Sequence, residues 1–114
     1  MYQLIILLPT GMDLLSFDEG WPQFLEIAER MPGLIRESIT RFDQVLYGTE
    51  TIQRMYTFSF PDKQSLKTAL TSETGQKAGN FLHTLSGGKM TLLTGEHQSD
   101  TLDRIKSYSP PEDI

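Results

Sequence analysis

The chain contains no cysteine, which removes disulfides, thiolate nucleophiles and cysteine-based metal sites from consideration. Histidine is nearly as scarce. His83 and His97 are the whole supply, a poor basis for a zinc site or a facial-triad iron site without thiolates. Neither a metal nor a tightly bound cofactor is expected. Clustered Lys and Arg are missing too: 10 basic residues against 15 acidic ones leave a net charge of −5. Nucleic acid and anionic membrane surfaces, which need concentrated positive charge, are therefore not expected partners. Nor is there a long apolar run. Tyr2–Leu8 falls far short of the roughly 20 residues that cross a bilayer, and it lacks the basic start and cleavage site of a signal peptide. The cytoplasm is the expected compartment. Finally, no glycine-rich loop leads into a helix; Gly87-Gly88 precedes a strand-like stretch and so offers no anion site at a helix N-terminus.

What the chain does contain is a legible succession of elements. Its 114 residues suit one domain of about 100–150 residues, here expected over 1–97 with a polar tail over 98–114. Tyr2–Leu8 reads as a short strand, apolar on both faces and closed by Pro9-Thr10-Gly11. Ser16-Phe17-Asp18-Glu19 has the spacing of a capping box, and Phe17, Trp21, Phe24, Leu25, Ala28 and Met31 follow at helical intervals. Gly20 and Pro22 predict either a kink there or a helix that begins there. Ile35–Tyr47 reads as a long strand whose apolar phase switches near Phe42-Asp43, as at a bulge or in a strand bent partway along. After Gly48–Thr51, the stretch Ile52–Phe60 alternates most clearly. Arg54, Tyr56, Phe58 and Phe60 share one face; Gln53, Met55, Thr57 and Ser59 share the other.

Pro61-Asp62 opens a helix with Leu66, Ala69 and Leu70 inward. Ser72 then caps a second helix carrying Ala78, Phe81, Leu82 and Leu85 on one face. Gly87-Gly88 ends it, and Met90–Glu96 is the last strand. In the tail, Asp100, Leu102 and Ile105 allow one further helical turn, which Ser109-Pro110-Pro111 cannot continue.

The order strand, helix, strand, strand, helix in two pieces, strand defines an α+β chain. It is the ferredoxin-like split β-α-β plait, a four-stranded antiparallel sheet with its helices on one face. Right-handed crossovers predict the first and last strands side by side in the centre. The helices can cover one face only, whereas the first strand carries Ile5 and Leu7 on one side and Leu4, Ile6 and Leu8 on the other. At about 25 cal/mol per Å², leaving either set wet forgoes several kcal/mol. A second copy laid sheet face to sheet face is the economical remedy, giving a homodimer of the dimeric α+β barrel type.

Several pieces, weak singly but ordered and spaced together, carry a family resemblance: Phe17-Asp18-Glu19, Met31-Pro32-Gly33-Leu34, Ser72 with Gly75-Gln76, Gly87-Gly88, and Thr91-Leu92-Leu93-Thr94-Gly95-Glu96. The chain resembles the EthD family of dimeric α+β barrel proteins from its first strand to Glu96. That resemblance implies the fold, the dimer, and a link to oxidative degradation of an alkyl ether. Relatives on the same fold include muconolactone isomerase, cofactor-free quinol monooxygenases and polyketide cyclases. Many family members carry a histidine on the first helix, eight residues before the Pro-Gly, with a proline two positions later. Here those positions hold Phe24 and Glu26. A phenyl ring moves no proton, so a base at that position is absent.

Two function classes follow. In one the protein binds a small hydrophobic metabolite without acting on it, as an accessory to an oxidative degradation pathway. In the other it is a cofactor-free isomerase, cyclase or monooxygenase acting on an aromatic or carbonyl-bearing compound. The residues expected to line a ligand pocket are Trp21, Phe24, Tyr56 and Phe58, with the Tyr56 hydroxyl as polar anchor; packing in the core is the competing role for all four. His83 and Tyr56 are the candidates for proton transfer. Arg54 and Glu96 are expected to pair, to hold an anion, or, as is commonest for strand-end charges, to stand solvated.

Overall fold

The computed structural model describes residues 1–104. Strand β1 (Tyr2–Pro9) leads into helix α1 (Leu14–Ala28), followed by β2 (Arg36–Arg41), β3 (Ile52–Phe60), α2 (Lys63–Thr71), α3 (Glu73–Ser86) and β4 (Thr91–Glu96). The strands form one antiparallel sheet in the order β2-β3-β1-β4. This is the split β-α-β plait read from the sequence, with one correction. β4 does lie beside β1, but at the sheet edge; the centre belongs to β1 and β3. The sequence explains why. β3 brings Tyr56, Phe58 and Phe60 to the helix side, where each is buried. β4 offers only Leu92 and Leu93 among threonines, a glycine and a glutamate, and both leucines stay nearly half exposed.

The core lies between sheet and helices. Leu4, Ile6 and Leu8 face it from β1, and the register sets Leu4 against Phe58 and Ile6 against Tyr56. Such cross-strand aromatic–aliphatic pairs are the unit of sheet stability. Phe17, Phe24 and Ala28 meet them from α1, Leu66 and Ala69 from α2, and Ala78 and Leu82 from α3. Burying each large side chain contributes about 1.5–3 kcal/mol.

Helix α1 starts earlier than its capping-box pattern suggests. Asp13 is the cap: one carboxylate oxygen accepts from the Leu15 amide at 3.0 Å, and the other accepts from the Ser16 hydroxyl at 2.9 Å. A charged acceptor outcompetes the hydroxyl and turns Ser16 into a donor. The helix then runs through Gly20 and Pro22 without restarting. Gly20 has a packing reason, since a Cβ there would stand 2.4 Å from Leu85 Cδ1 on α3. Pro22 lacks the amide that would have reached the Asp18 carbonyl.

β2 is shorter than the long strand expected. It stops at Arg41, the Phe42 amide still donates to the Gln53 carbonyl at 3.0 Å, and the following residues leave the sheet. The switch in apolar phase therefore marks a strand end rather than a bulge, and Val45, Leu46 and Tyr47 stand in solvent. A register shift does occur, between Leu8 and Pro9. The caps of the later helices fall where the sequence places them. The Asp62 carboxylate accepts from the Ser65 amide at 2.7 Å, Ser72 Oγ accepts from the Gly75 amide at 3.0 Å, and Gly87 ends α3 at φ +63°.

The other face of the sheet carries no helix. Gln3, Ile5 and Leu7 of β1 look out there beside Met55, Thr57 and Ser59 of β3 and Arg36, Ser38 and Thr40 of β2. All of them but Leu7 floor an open concavity of about 660 Å³ bordered by His97, Gln98 and Ser99. Gln3 Nε2 donates to Ser59 Oγ across it at 3.1 Å. The His97 amide donates to the Met1 carbonyl at 2.8 Å, carrying the β1–β4 pairing one step further. Beyond it residues 102–104 make a helical turn, with the Arg104 amide donating to Thr101 Oγ1 and the Arg104 guanidinium pairing with Asp100. Ile105 and Ser109-Pro110-Pro111 lie outside the described residues. Among the described residues no helix is long and apolar enough to cross a membrane.

Candidate functional site

Between α1 and the β2–β3 half of the sheet lies a cleft of about 420 Å³, within the usual size range for small-molecule sites. α1 supplies Asp18, Trp21, Pro22 and Leu25 to it, β2 supplies Glu37, Ile39 and Arg41, and β3 supplies Arg54, Tyr56 and Phe58. The helical period puts Asp18, Trp21 and Leu25 on one face of α1, and the period of two puts Arg54, Tyr56 and Phe58 on one face of β3. The two elements thus present matching stripes.

Aromatic rings make the floor. Trp21 lies with its ring centre 4.0 Å from that of Tyr56, 5.2 Å from that of Phe17 and 4.8 Å from that of Phe24. Phe24 in turn meets Phe58 edge to face at 6.1 Å. Phe17, Phe24, Tyr56 and Phe58 are buried, and Trp21 keeps part of its surface toward the cleft. Offset and edge contacts of this kind add to the burial of the rings themselves.

A polar network closes the mouth. The Arg54 guanidinium grips the Asp18 carboxylate with both Nη atoms, Nη2 donating at 3.0 Å, and Nη1 also donates to the Tyr56 hydroxyl at 3.0 Å. A bidentate arginine–carboxylate pair fixes orientation as well as charge. Hydrogen bonding from Arg54 holds the Asp18 carboxyl below its ordinary range, and the Asp18 bond holds the guanidinium charged. On the opposite wall, loss of hydration, with repulsion from Glu29 second, pushes the Glu37 carboxyl upward.

Three of the four residues expected to line a pocket, Trp21, Tyr56 and Phe58, do line this cleft. Phe24 stands behind Trp21 and instead borders a second, apolar cavity of about 260 Å³ with Leu4, Met31, Leu82 and Leu92. Phe58 forms the wall between the two. His83 sits apart from them, exposed near the end of α3 with its ring over Gly88. Arg54 pairs with Asp18 rather than Glu96. Arg54 lies opposite Leu8 and Glu96 opposite Tyr2, so about 20 Å of β1 separates them. Asp18, Glu37 and Arg41 are the charged wall residues that sequence reasoning passed over. The arginine sharing a face with Tyr56 was visible, but Asp18 stood only as an intervening position between Ser16 and Glu19 of the capping pattern. Among the described residues no three His, Asp or Glu side chains converge as a metal site would require.

No family model matches the chain, and no curated protein does. Solved structures do. An EthD family protein from Bacillus halodurans C-125 superimposes with a TM-score of 0.76 at 26% identity, covering 86% of this chain and 99% of its own. A dimeric ferredoxin-like protein of unknown function from Jannaschia sp. CCS1 gives 0.59 at 21% identity, with 84% and 97% covered. SnoaB, a cofactor-independent oxygenase from Streptomyces nogalater, gives 0.59 at 14% identity, with 89% and 95% covered. The resemblance to the EthD family read from the sequence is thus matched in three dimensions, and the fold is that of the dimeric ferredoxin-like proteins.

Proposed function

We propose that this EthD-like chain is a cytoplasmic homodimer that binds a small, flat, hydrophobic metabolite in the cleft between α1 and β3, as an accessory to an oxidative degradation pathway. The observation that carries the reading is the cleft itself. An aromatic floor of Trp21, Tyr56 and Phe58 under one polar network is the usual composition of a small-molecule site. A role as mere core packing accounts for the burial of Phe17, Phe24, Tyr56 and Phe58, but not for the open space above Trp21.

The dimer is proposed through the helix-free face of the sheet. Ile5 and Leu7 need cover there, Leu93 on the same face of β4 is nearly half exposed, and several structural neighbours are described as dimeric. A second reading, a cofactor-free enzyme, draws on the Tyr56 hydroxyl, which stands in the cleft wall held by a hydrogen bond from Arg54, as the group that would move a proton.

Naphthalene titration tests the binding reading. Trp21 is the chain's only tryptophan, so its emission reports on the cleft directly. A saturable change approaching one naphthalene per chain is expected. A linear, unsaturable response removes the reading.

A further inference from the structure

We infer that the ligand of this cleft presents a neutral hydrogen-bond acceptor, a ring-conjugated ketone or quinone-type oxygen, to the hydroxyl of Tyr56. The inference rests on the binding reading above and names the chemistry of the ligand's polar end.

Three observations lead there. First, the Tyr56 oxygen accepts from Arg54 Nη1 at 3.0 Å. A phenol oxygen that accepts in this way still has its own hydrogen to donate. No acceptor for that hydrogen is found among the described residues, although Tyr56 is 97% buried (3% exposed). The wall it belongs to is the cleft wall. The protein thus leaves that hydrogen to whatever the cleft holds, and an acceptor on a bound molecule would take it. Second, Arg54 is committed. Its charge is neutralised by the bidentate contact with Asp18, so it polarises Tyr56 without leaving an uncompensated cation for a carboxylate. Third, the charged residues around the cleft balance. Asp18 and Glu37 stand against Arg41 and Arg54, and a lining of zero net charge gives an anion no advantage over a neutral molecule. The aromatic floor supplies the area for a flat ring, and the hydroxyl supplies the direction.

Asp18 and Arg54 are positioning residues on this view, since they act through Tyr56. Their role has a signature of its own. Removing the Asp18 charge frees the guanidinium, so the cleft should begin to favour carboxylates.

Calorimetric titration of the full-length protein with three probes separates these statements: tetralin, its ketone 1-tetralone, and 1-naphthoate. Wild type is expected to bind 1-tetralone about tenfold more tightly than tetralin, the effect of one good hydrogen bond, and 1-naphthoate no better than tetralin. Tyr56→Phe should bring 1-tetralone and tetralin within about twofold while leaving tetralin binding intact, which also shows that the variant is folded. Asp18→Asn should raise 1-naphthoate affinity at least fivefold. Tetralin and 1-tetralone binding equally to wild type overturns this inference and leaves the hydrophobic cleft standing, as does a wild-type preference for 1-naphthoate. A ketone preference that survives Tyr56→Phe overturns it too. Absence of binding by all three probes removes both this inference and the reading beneath it.

Discussion

Replacing Gly75 by alanine sets two effects of known size against each other. In a helix interior alanine is favoured over glycine by about 1 kcal/mol, so on propensity alone α3 should gain. The structure opposes this. A Cβ on Gly75 would stand 2.0 Å from the Ala69 carbonyl oxygen and 3.0 Å from both the Ala69 carbonyl carbon and Leu70 Cα. A carbon and a carbonyl oxygen rest no closer than about 3.3 Å. The end of α2 and the start of α3 would have to part by roughly an ångström, and the obstacle is backbone rather than a side chain that can swing away. Overpacking of this kind costs about 1–3 kcal/mol, which cancels the propensity gain and leaves a net loss of up to about 2 kcal/mol.

Gly79 is the internal control. It lies one turn along the same helix, exposed, with nothing within 4 Å of its would-be Cβ, so Gly79→Ala should gain up to about 1 kcal/mol. Urea unfolding of both variants at one chain concentration reads the difference as a shift in midpoint with unchanged slope. Gly79→Ala should lie above Gly75→Ala by about 1–3 kcal/mol. If Gly75→Ala is as stable as Gly79→Ala, the close approach of α2 and α3 is misdescribed.

Other outcomes can be set beside this one. Light scattering at micromolar concentration should give about twice the chain mass of 12.9 kDa, and Ile5→Lys, on the helix-free face, should return the mass to that of one chain; a wild-type monomer refutes the dimer. Ser72→Ala removes an oxygen that accepts from the Gly75 amide and donates to the Ala69 carbonyl at 2.6 Å. It should destabilise by about 1 kcal/mol, read as a lower urea midpoint, and no change would discount the cap. Asp18 supplies a pH test. Its folded-state carboxyl is held below the ordinary value by Arg54, so its contribution is present above the unfolded value of about 3.9 and is lost as pH falls through the lower folded one. The midpoint gap between wild type and Asp18→Asn should therefore be full at pH 7 and close in acid. A gap independent of pH would mean that the pair contributes nothing through charge.

Much of this fold could be read before it was seen, and the reason is locality. The alternation of Ile52–Phe60, the Ser72 cap and the Gly87 stop are each decided within a few residues, and each stands where the sequence puts it. What escaped was settled by competition or by distance. Asp13 and Ser16 both qualify as helix caps, and only the three-dimensional turn shows the carboxylate accepting and the hydroxyl donating. Crossover logic sets β4 beside β1 and so predicts it in the centre; its far side, lacking a partner strand, makes it an edge. Of the site, the aromatic stripe of Trp21, Tyr56 and Phe58 was legible as periodicity. The junction of Asp18 with Arg54, 36 residues apart, was not, because no local pattern joins a helix position to a particular strand position. Phe24 shows the same limit. Its spacing marks it as inward, but spacing does not say on which side of Trp21 it will lie.

β3 is a single strand with two duties. Arg54, Tyr56 and Phe58 belong to the cleft, while Met55, Thr57 and Ser59, interleaved with them, belong to the bare side of the sheet. Neighbouring side chains share one rigid peptide ladder, so a displacement imposed on Tyr56 is handed to Met55 and Thr57 at once. A ligand that moved Tyr56 would therefore also disturb a second copy laid against the reverse of the sheet, through a partition one backbone thick.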